Sequence, residues 1–183
     1  FERQSYAEAL TDLERAAPHL TSETEQAETY FAIGLSRIET QAYPEAVVAF
    51  RKVLSDYPRF PNKDKAQYQL AWALKLSGQD AEAARVFESL SRSGRDAAIV
   101  AEAKYHRGDA AFAQKDYATA ITLLQAAMQG TESQTIARDA AWKKAWSHYH
   151  QDEIDEAIDA FRLQITMYPG YDAIDVDARF MLA

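Results

Sequence analysis

By residue type, the groups in this 183-residue chain best suited to bind a metal or move a proton are His19, His106, His148 and His150. His148 and His150 stand two apart, which turns them to different faces of a helix, so they cannot ligate one ion without distortion. They are expected to face solvent or to pack. The acidic run Asp152, Glu153, Asp155, Glu156 and Asp159 opens a helical stretch, where the helix dipole favours carboxylates without any ligand. Asp172, Asp175 and Asp177 could crowd a cation, but they lack the calcium-loop spacing and its glycine. Ser36, Ser77 and Ser147 fall within helical patterns with no partner base, and neither a glycine-rich phosphate loop nor a G-x-S-x-G occurs. No catalytic residue, metal or cofactor is expected.

Composition narrows the remaining classes. Gly and Pro number only 6 and 5, and β-branched runs are nearly absent, so helix is favoured along almost the whole length. The net charge of −8 argues against a nucleic-acid backbone and against an anionic membrane surface as partners. No apolar run approaches the ~18 residues of a membrane span. Zero cysteines exclude disulfides and thiolate metal sites but leave the compartment open. With no initiator Met and no signal-like start, the chain is expected to be a segment of a longer one.

The elements that position side chains recur at a fixed interval. Small residues stand at Ala9, Ala46, Ala83, Ala120 and Ala157, each 37 residues after the last. Four residues after each comes an apolar anchor: Leu13, Phe50, Phe87, Leu124 or Phe161. Twelve residues before the later four alanines sit Gly34, Ala71, Gly108 and Ala145. A small residue on each of two helices, repeated with one period, predicts a helix–turn–helix repeat whose helices pack closely. A second helix of a partial repeat is expected at 1–17, and residues 18–26 form a linker in which Thr21 or Ser22 is an available N-cap. Full repeats are expected over 27–60, 64–95, 101–131 and 138–169. The start of a further first helix is expected at 175–183. Pro58 and Pro169 stop two second helices, and Gly94 and Gly130 are expected to end the others. Both ends fall inside a repeat without polar capping helices, so the parent protein is expected to extend in both directions.

These offsets resemble the tetratricopeptide (TPR) repeat over essentially the whole chain, with a 37-residue period in place of the familiar 34. The resemblance implies an all-α, right-handed superhelical solenoid of antiparallel helix pairs. Segments such as QAYPEAVVAFRKVLSDYPRFPNKDKAQYQLAWAL are also similar to the TPR repeats of bacterial envelope proteins, such as the Tol-Pal coordinating protein and the outer-membrane assembly lipoprotein. In those, A-x-x-x-F…YP precedes a longer linker and an A-x-Y-x-L-[GA] helix start. The second and third repeats depart by lacking YP. Gln67, Lys104 and Ala141 stand where an aromatic is usual. This narrower resemblance implies a bacterial periplasm or cell-envelope location.

In TPR proteins the first helices line the concave face. The columns that project there are Phe31, Tyr68, Tyr105 and Trp142, continued by Phe180, then Leu35, Trp72, Asp109 and Trp146, then Ile38, Lys75, Phe112 and Tyr149. One reading is an aromatic groove for a polypeptide segment, with Trp72, Trp146 and Tyr149 as its anchors and Phe112, Tyr68, Tyr105, Trp142 and Phe31 beside them. The other is that the first column only packs each first helix against its neighbour. The carboxylate clamp of chaperone-binding TPR domains is not expected, since its asparagines are missing and Asn62 is the only asparagine. The resemblance thus implies a non-catalytic scaffold whose partner is a protein or peptide. The alternative is an architectural spacer or oligomerisation arm in a larger envelope or secretion assembly.

Overall fold

The computed structural model describes residues 2–168, and side chains from residue 6 onward. The described residues form helices α1 (Glu2–Ala16), α2 (Glu23–Glu39), α3 (Tyr43–Asp56), α4 (Lys63–Leu76), α5 (Asp80–Ser93), α6 (Ala97–Ala113), α7 (Tyr117–Gly130), α8 (Gln134–His150) and α9 (Ile154–Met167). A short 3-10 turn, Ala17–His19, follows α1, and no strand occurs among them. The fold class is therefore all-α, built from TPR-like helix pairs. Pro169, Phe180, Asp172, Asp175, Asp177 and the expected helix at 175–183 lie outside the described residues.

Three first helices begin about one turn before the expected 27, 101 and 138. Side-chain caps explain the shift. Ser22 Oγ accepts from the Glu25 amide, Asp96 Oδ1 from the amides of Ala98 and Ile99, and Ser133 Oγ from the Ile136 amide. At the start of α2 the residues after the cap, Glu23, Thr24 and Glu25, are polar, whereas α6 opens on the apolar Ala97, Ala98, Ile99 and Val100.

The chain divides into two units, residues 1–90 and 91–183. In the first, the seam between helices is closed around Phe50, which is fully buried with Ala46, Val47, Leu70, Leu74 and Ala83. A Cβ on Gly34 would sit 2.5 Å from Phe50 Cε1, so only glycine lets α2 approach α3 this closely. A second cluster, Ala27, Val53, Phe60 and Ala66, joins α2 and α3 to α4. In the second unit Ala120 and Leu124 pack with Ala111 and Ala140, and Ala157 and Phe161 pack with Ala145. A Cβ on Gly108 would meet Leu124 Cγ at 2.8 Å. Gly130 ends α7, as the sequence predicts, and has a second role. A Cβ there would stand 2.9 Å from the Ala101 Cβ, so it serves close approach to α6.

Each turn within a helix pair is made the same way. Gln41, Gly78, Lys115 and Asp152, spaced by 37, all adopt left-handed φ of 64°, 78°, 62° and 61°. The amides of residues 42, 79, 116 and 153 return to carbonyls five back, and those of 41, 78, 115 and 152 to carbonyls three back. This is the Schellman closure of a helix C-terminus, normally a glycine position. A non-glycine residue there costs ~1–2 kcal/mol, against ~0.4–1 kcal/mol for glycine's extra unfolded-state freedom. Lys115→Gly is therefore expected to stabilise by about 0.5–1 kcal/mol, and Gly78→Ala to destabilise by a similar amount. Urea denaturation of both variants checks this; destabilisation by Lys115→Gly would remove the left-handed turn.

Candidate functional site

The three columns lie along one side of each first helix, because positions i, i+4 and i+7 share a face. In the first unit Phe31 is half-buried and makes ring contacts with Phe50 and Phe60, both at 5.8 Å. Leu35 and Ile38 pack on the same cluster. Tyr68 and Trp72 are half-buried, 6.4 Å apart edge to face, and both rest on Phe87. Lys75 Nζ lies 5.4 Å from the Trp72 ring centroid, a cation–π distance.

The second unit carries a longer aromatic run. Phe112 on α6 faces Trp142 on α8 at 6.4 Å, Trp142 faces Trp146 at 6.1 Å, and Trp146 meets Tyr149 edge-on at 5.5 Å. Trp146 is rooted on the buried Phe161 at 5.6 Å. Phe112, Trp142 and Trp146 are half-buried, whereas Tyr149 is 37% exposed. The indole N–H groups of Trp142 and Trp146 are buried among these rings and reach no acceptor among the described residues. His150 stacks on Tyr117 at 4.8 Å, and His148 Nδ1 lies 2.6 Å from Glu153 Oε2. The two imidazoles thus go separate ways, and no cluster of three or more metal-ligating side chains occurs among the described residues.

Tyr105 joins a polar network, although its ring also meets His106 edge to face at 5.0 Å. Its hydroxyl donates to Asp139 Oδ2 at 2.6 Å. The Lys143 ammonium bridges Asp109 Oδ1 and Asp139 Oδ2, both at 2.6 Å, and lies over the Tyr105 ring. Burial, then the hydrogen bond to Asp139, pushes the Tyr105 phenol up to about 12. Burial alone would lower the Lys143 amine, but the two carboxylates hold it above its usual value. Asp139 and Lys143 were missed in the sequence. They pair with Tyr105 and Asp109 at separations of 34 and 38 rather than 37, so no column displays them.

The face can stack against apolar or aromatic groups and offers little for covalent chemistry. No helix among the described residues is long and apolar enough to cross a membrane. Family models described as tetratricopeptide repeat match residues 68–135 and, with a second model, 28–59 and 139–171. No curated protein matches the chain. Among solved structures, it is similar to MamA (residues 41 to the end) from Desulfovibrio magneticus RS-1, with 18% identity, TM-score 0.66 and coverage of 85% of this chain and 82% of that one. It is also similar to the apo quorum sensor NprR from B. thuringiensis, with 16% identity, TM-score 0.73 and coverage of 98% and 53%. A third match is a putative kinesin light chain of Podospora anserina with nearly identical TPR-like repeats, at 18% identity, TM-score 0.64 and 92% coverage of both chains. At these identities the likeness is one of fold. The comparisons give no support to the narrower envelope-type resemblance.

Proposed function

This chain is built of tetratricopeptide repeats, and from that premise we propose that it is a non-catalytic scaffold holding a polypeptide segment on the first-helix face of its repeats. The observation that carries this reading is the run Phe112–Trp142–Trp146–Tyr149, which rises from the buried Phe161 to an exposed tyrosine. Rigid aromatics rooted in a core and open at one end are the side chains that dominate binding energy at protein interfaces, at low entropic cost. Trp72 and Tyr68 offer a second, shorter patch in the other unit. The net charge of −8 favours a basic or neutral segment by steering and by rejecting acidic ones.

A crosslinking pull-down from the source organism's lysate tests the proposal, comparing the wild-type chain with Tyr149→Ala and with Val48→Ser. Val48 is exposed on the second helix α3, away from the aromatic columns. Partners are expected to be lost by at least tenfold from Tyr149→Ala and retained by Val48→Ser, as for truncation of an aromatic anchor. Equal recovery by all three proteins would reject the first-helix face and leave the architectural alternative.

A further inference from the structure

The opposite side of α8 carries a different chemistry. Lys144 stands two residues from both Trp142 and Trp146, which turns it away from the aromatic run. It lines a cavity of about 80 Å³ between α7, α8 and α9, several times the room one water needs. Two further polar side chains line that cavity, Gln164 and Tyr168, and its apolar wall includes Met128, Leu163 and Met167. Leu163 and Met167 are more than half exposed, so the wall runs out to solvent.

Two groups in this cavity are under-satisfied. Gln164 is completely buried, and neither its amide nitrogen nor its carbonyl oxygen finds a hydrogen-bond partner among the described residues. Unmet buried amides are costly and rare in native proteins. The half-buried Lys144 donates at 2.6 Å to the neutral Gln125 Oε1. Among the described residues, no carboxylate lines the cavity with it. Burial draws its amine below the ordinary lysine value, consistent with a cation lacking a counter-charge.

The other unit supplies an internal comparison. A cavity of about 220 Å³ there is lined by Ala17, Ile33 and Ala49, together with the charged Glu14, Arg37 and Lys52. Ala17, Ile33 and Ala49 stand 111 residues, three repeat lengths, before Met128, Lys144 and Ala160 of the cavity just described. The two grooves share these three places, but Ile33 occupies the place of Lys144, and Val53, buried in an apolar cluster, stands at the place of Gln164. The charged side chains of that groove, Glu14, Arg37 and Lys52, stand at other positions, and these two places are apolar there. At these two places a polar pair replaces an apolar one, and a buried unmet donor beside a cation with no carboxylate partner among the described residues calls for an anionic acceptor.

We propose that the cavity between α7, α8 and α9 binds a carboxylate on a short apolar stem, with the Lys144 ammonium and the Gln164 amide holding the oxygens and Leu163 and Met167 the stem. The carboxylate is that of a glutamate side chain in a partner polypeptide or of a free short-chain acid. This does not depend on the first-helix face binding anything.

The test is a titration of the full chain followed by NMR of the Gln164 side-chain amide and the Lys144 methylene next to nitrogen. The probes are butyrate, butanol, and the peptide acetyl-Ala-Leu-Glu-Leu-Ala-amide with its Glu→Gln counterpart. Butyrate is expected to shift both signals saturably and butanol to leave them unmoved. Lys144→Ile and Gln164→Val install the first unit's residues, so both are expected to stay folded, and each is expected to weaken butyrate at least tenfold. Lys144→Arg is expected to retain binding. A response to the Glu peptide but not the Gln peptide would assign the carboxylate to a polypeptide, and a response to butyrate alone to a small acid. The proposal is overturned if neither carboxylate moves these signals, if butanol matches butyrate, or if folded Ile and Val variants bind butyrate as well as wild type.

Discussion

Replacing Phe50 by alanine is expected to lower stability by about 3–5 kcal/mol, the cost of emptying a buried aromatic site that cannot collapse. Collapse is blocked by the residue opposite. Gly34 has no side chain to move into the space, and its backbone is already held close by α2–α3 packing. The same geometry gives a sharper test. Gly34→Ala adds helix propensity worth about 1 kcal/mol, yet its methyl carbon would lie 2.5 Å from a ring with 0% exposure and nowhere to go. Overpacking of this kind costs ~1–3 kcal/mol, so the substitution is expected to destabilise the wild-type chain. In the Phe50→Ala background the obstruction is gone, and Gly34→Ala is expected to stabilise. Urea denaturation of the four proteins of this cycle, followed by circular dichroism and fluorescence because a repeat chain need not unfold in one step, measures the coupling. Gly34→Ala stabilising in both backgrounds would mean that the ring and the glycine do not meet.

That pair was legible in the sequence, and the reason is physical. Close helix packing demands a small residue opposite a large one at every repeat, so Gly34 with Phe50 and Gly108 with Leu124 print the seam as columns 37 apart. Helix starts were only partly legible. Ser22 stood out as an available cap for α2, although Glu23, Thr24 and Glu25 look like linker. Nothing marked Asp96 or Ser133 as the caps of α6 and α8. The left-handed turn was hidden. Only Gly78 announces it, while Gln41, Lys115 and Asp152 hold the same conformation under backbone hydrogen bonds that no side-chain pattern encodes. The candidate surface divides along similar lines. The columns located Phe112, Trp142, Trp146 and Tyr149, whose rings do form one run, and they placed Phe31 and Leu35, which lean on the core. They also placed Tyr105 among aromatics, although it bonds to charged groups. Gln164 carries a signal that a column could have given, as the polar member after Val53, Leu90 and Ala127, whereas Lys144 follows Ile33, Leu70 and Arg107 in a column that turns basic midway.

Replacing Lys143 by methionine is expected to cost toward the lower end of the ~3–5 kcal/mol that follows when one partner is removed from a buried charge pair. The lower end applies because the Asp109 and Asp139 side chains keep 32% and 31% exposure, so water screens part of their mutual repulsion. Methionine fills much of the lysine stem, and the loss therefore reports the stranded carboxylates more than missing packing. Adding Asp139→Asn to Lys143→Met is accordingly expected to recover part of the stability, since it removes one of the two charges left facing each other. The pH dependence has a definite sign. Both the Tyr105 phenol and the Lys143 amine hold their protons more tightly in the folded chain than in the unfolded one. Their contribution is complete below about pH 10, where unfolded tyrosine and lysine are also protonated, and it is lost as pH rises toward about 12. Wild type is thus expected to lose stability over that range more steeply than Tyr105→Phe or Lys143→Met. Phenolate absorbance offers an independent reading. While the chain is folded at about pH 11, Tyr105 should remain protonated and Tyr105→Phe should leave the absorbance unchanged. A decrease by one tyrosine's share would show that Asp139 does not hold that proton, and the network would then lack its central hydrogen bond.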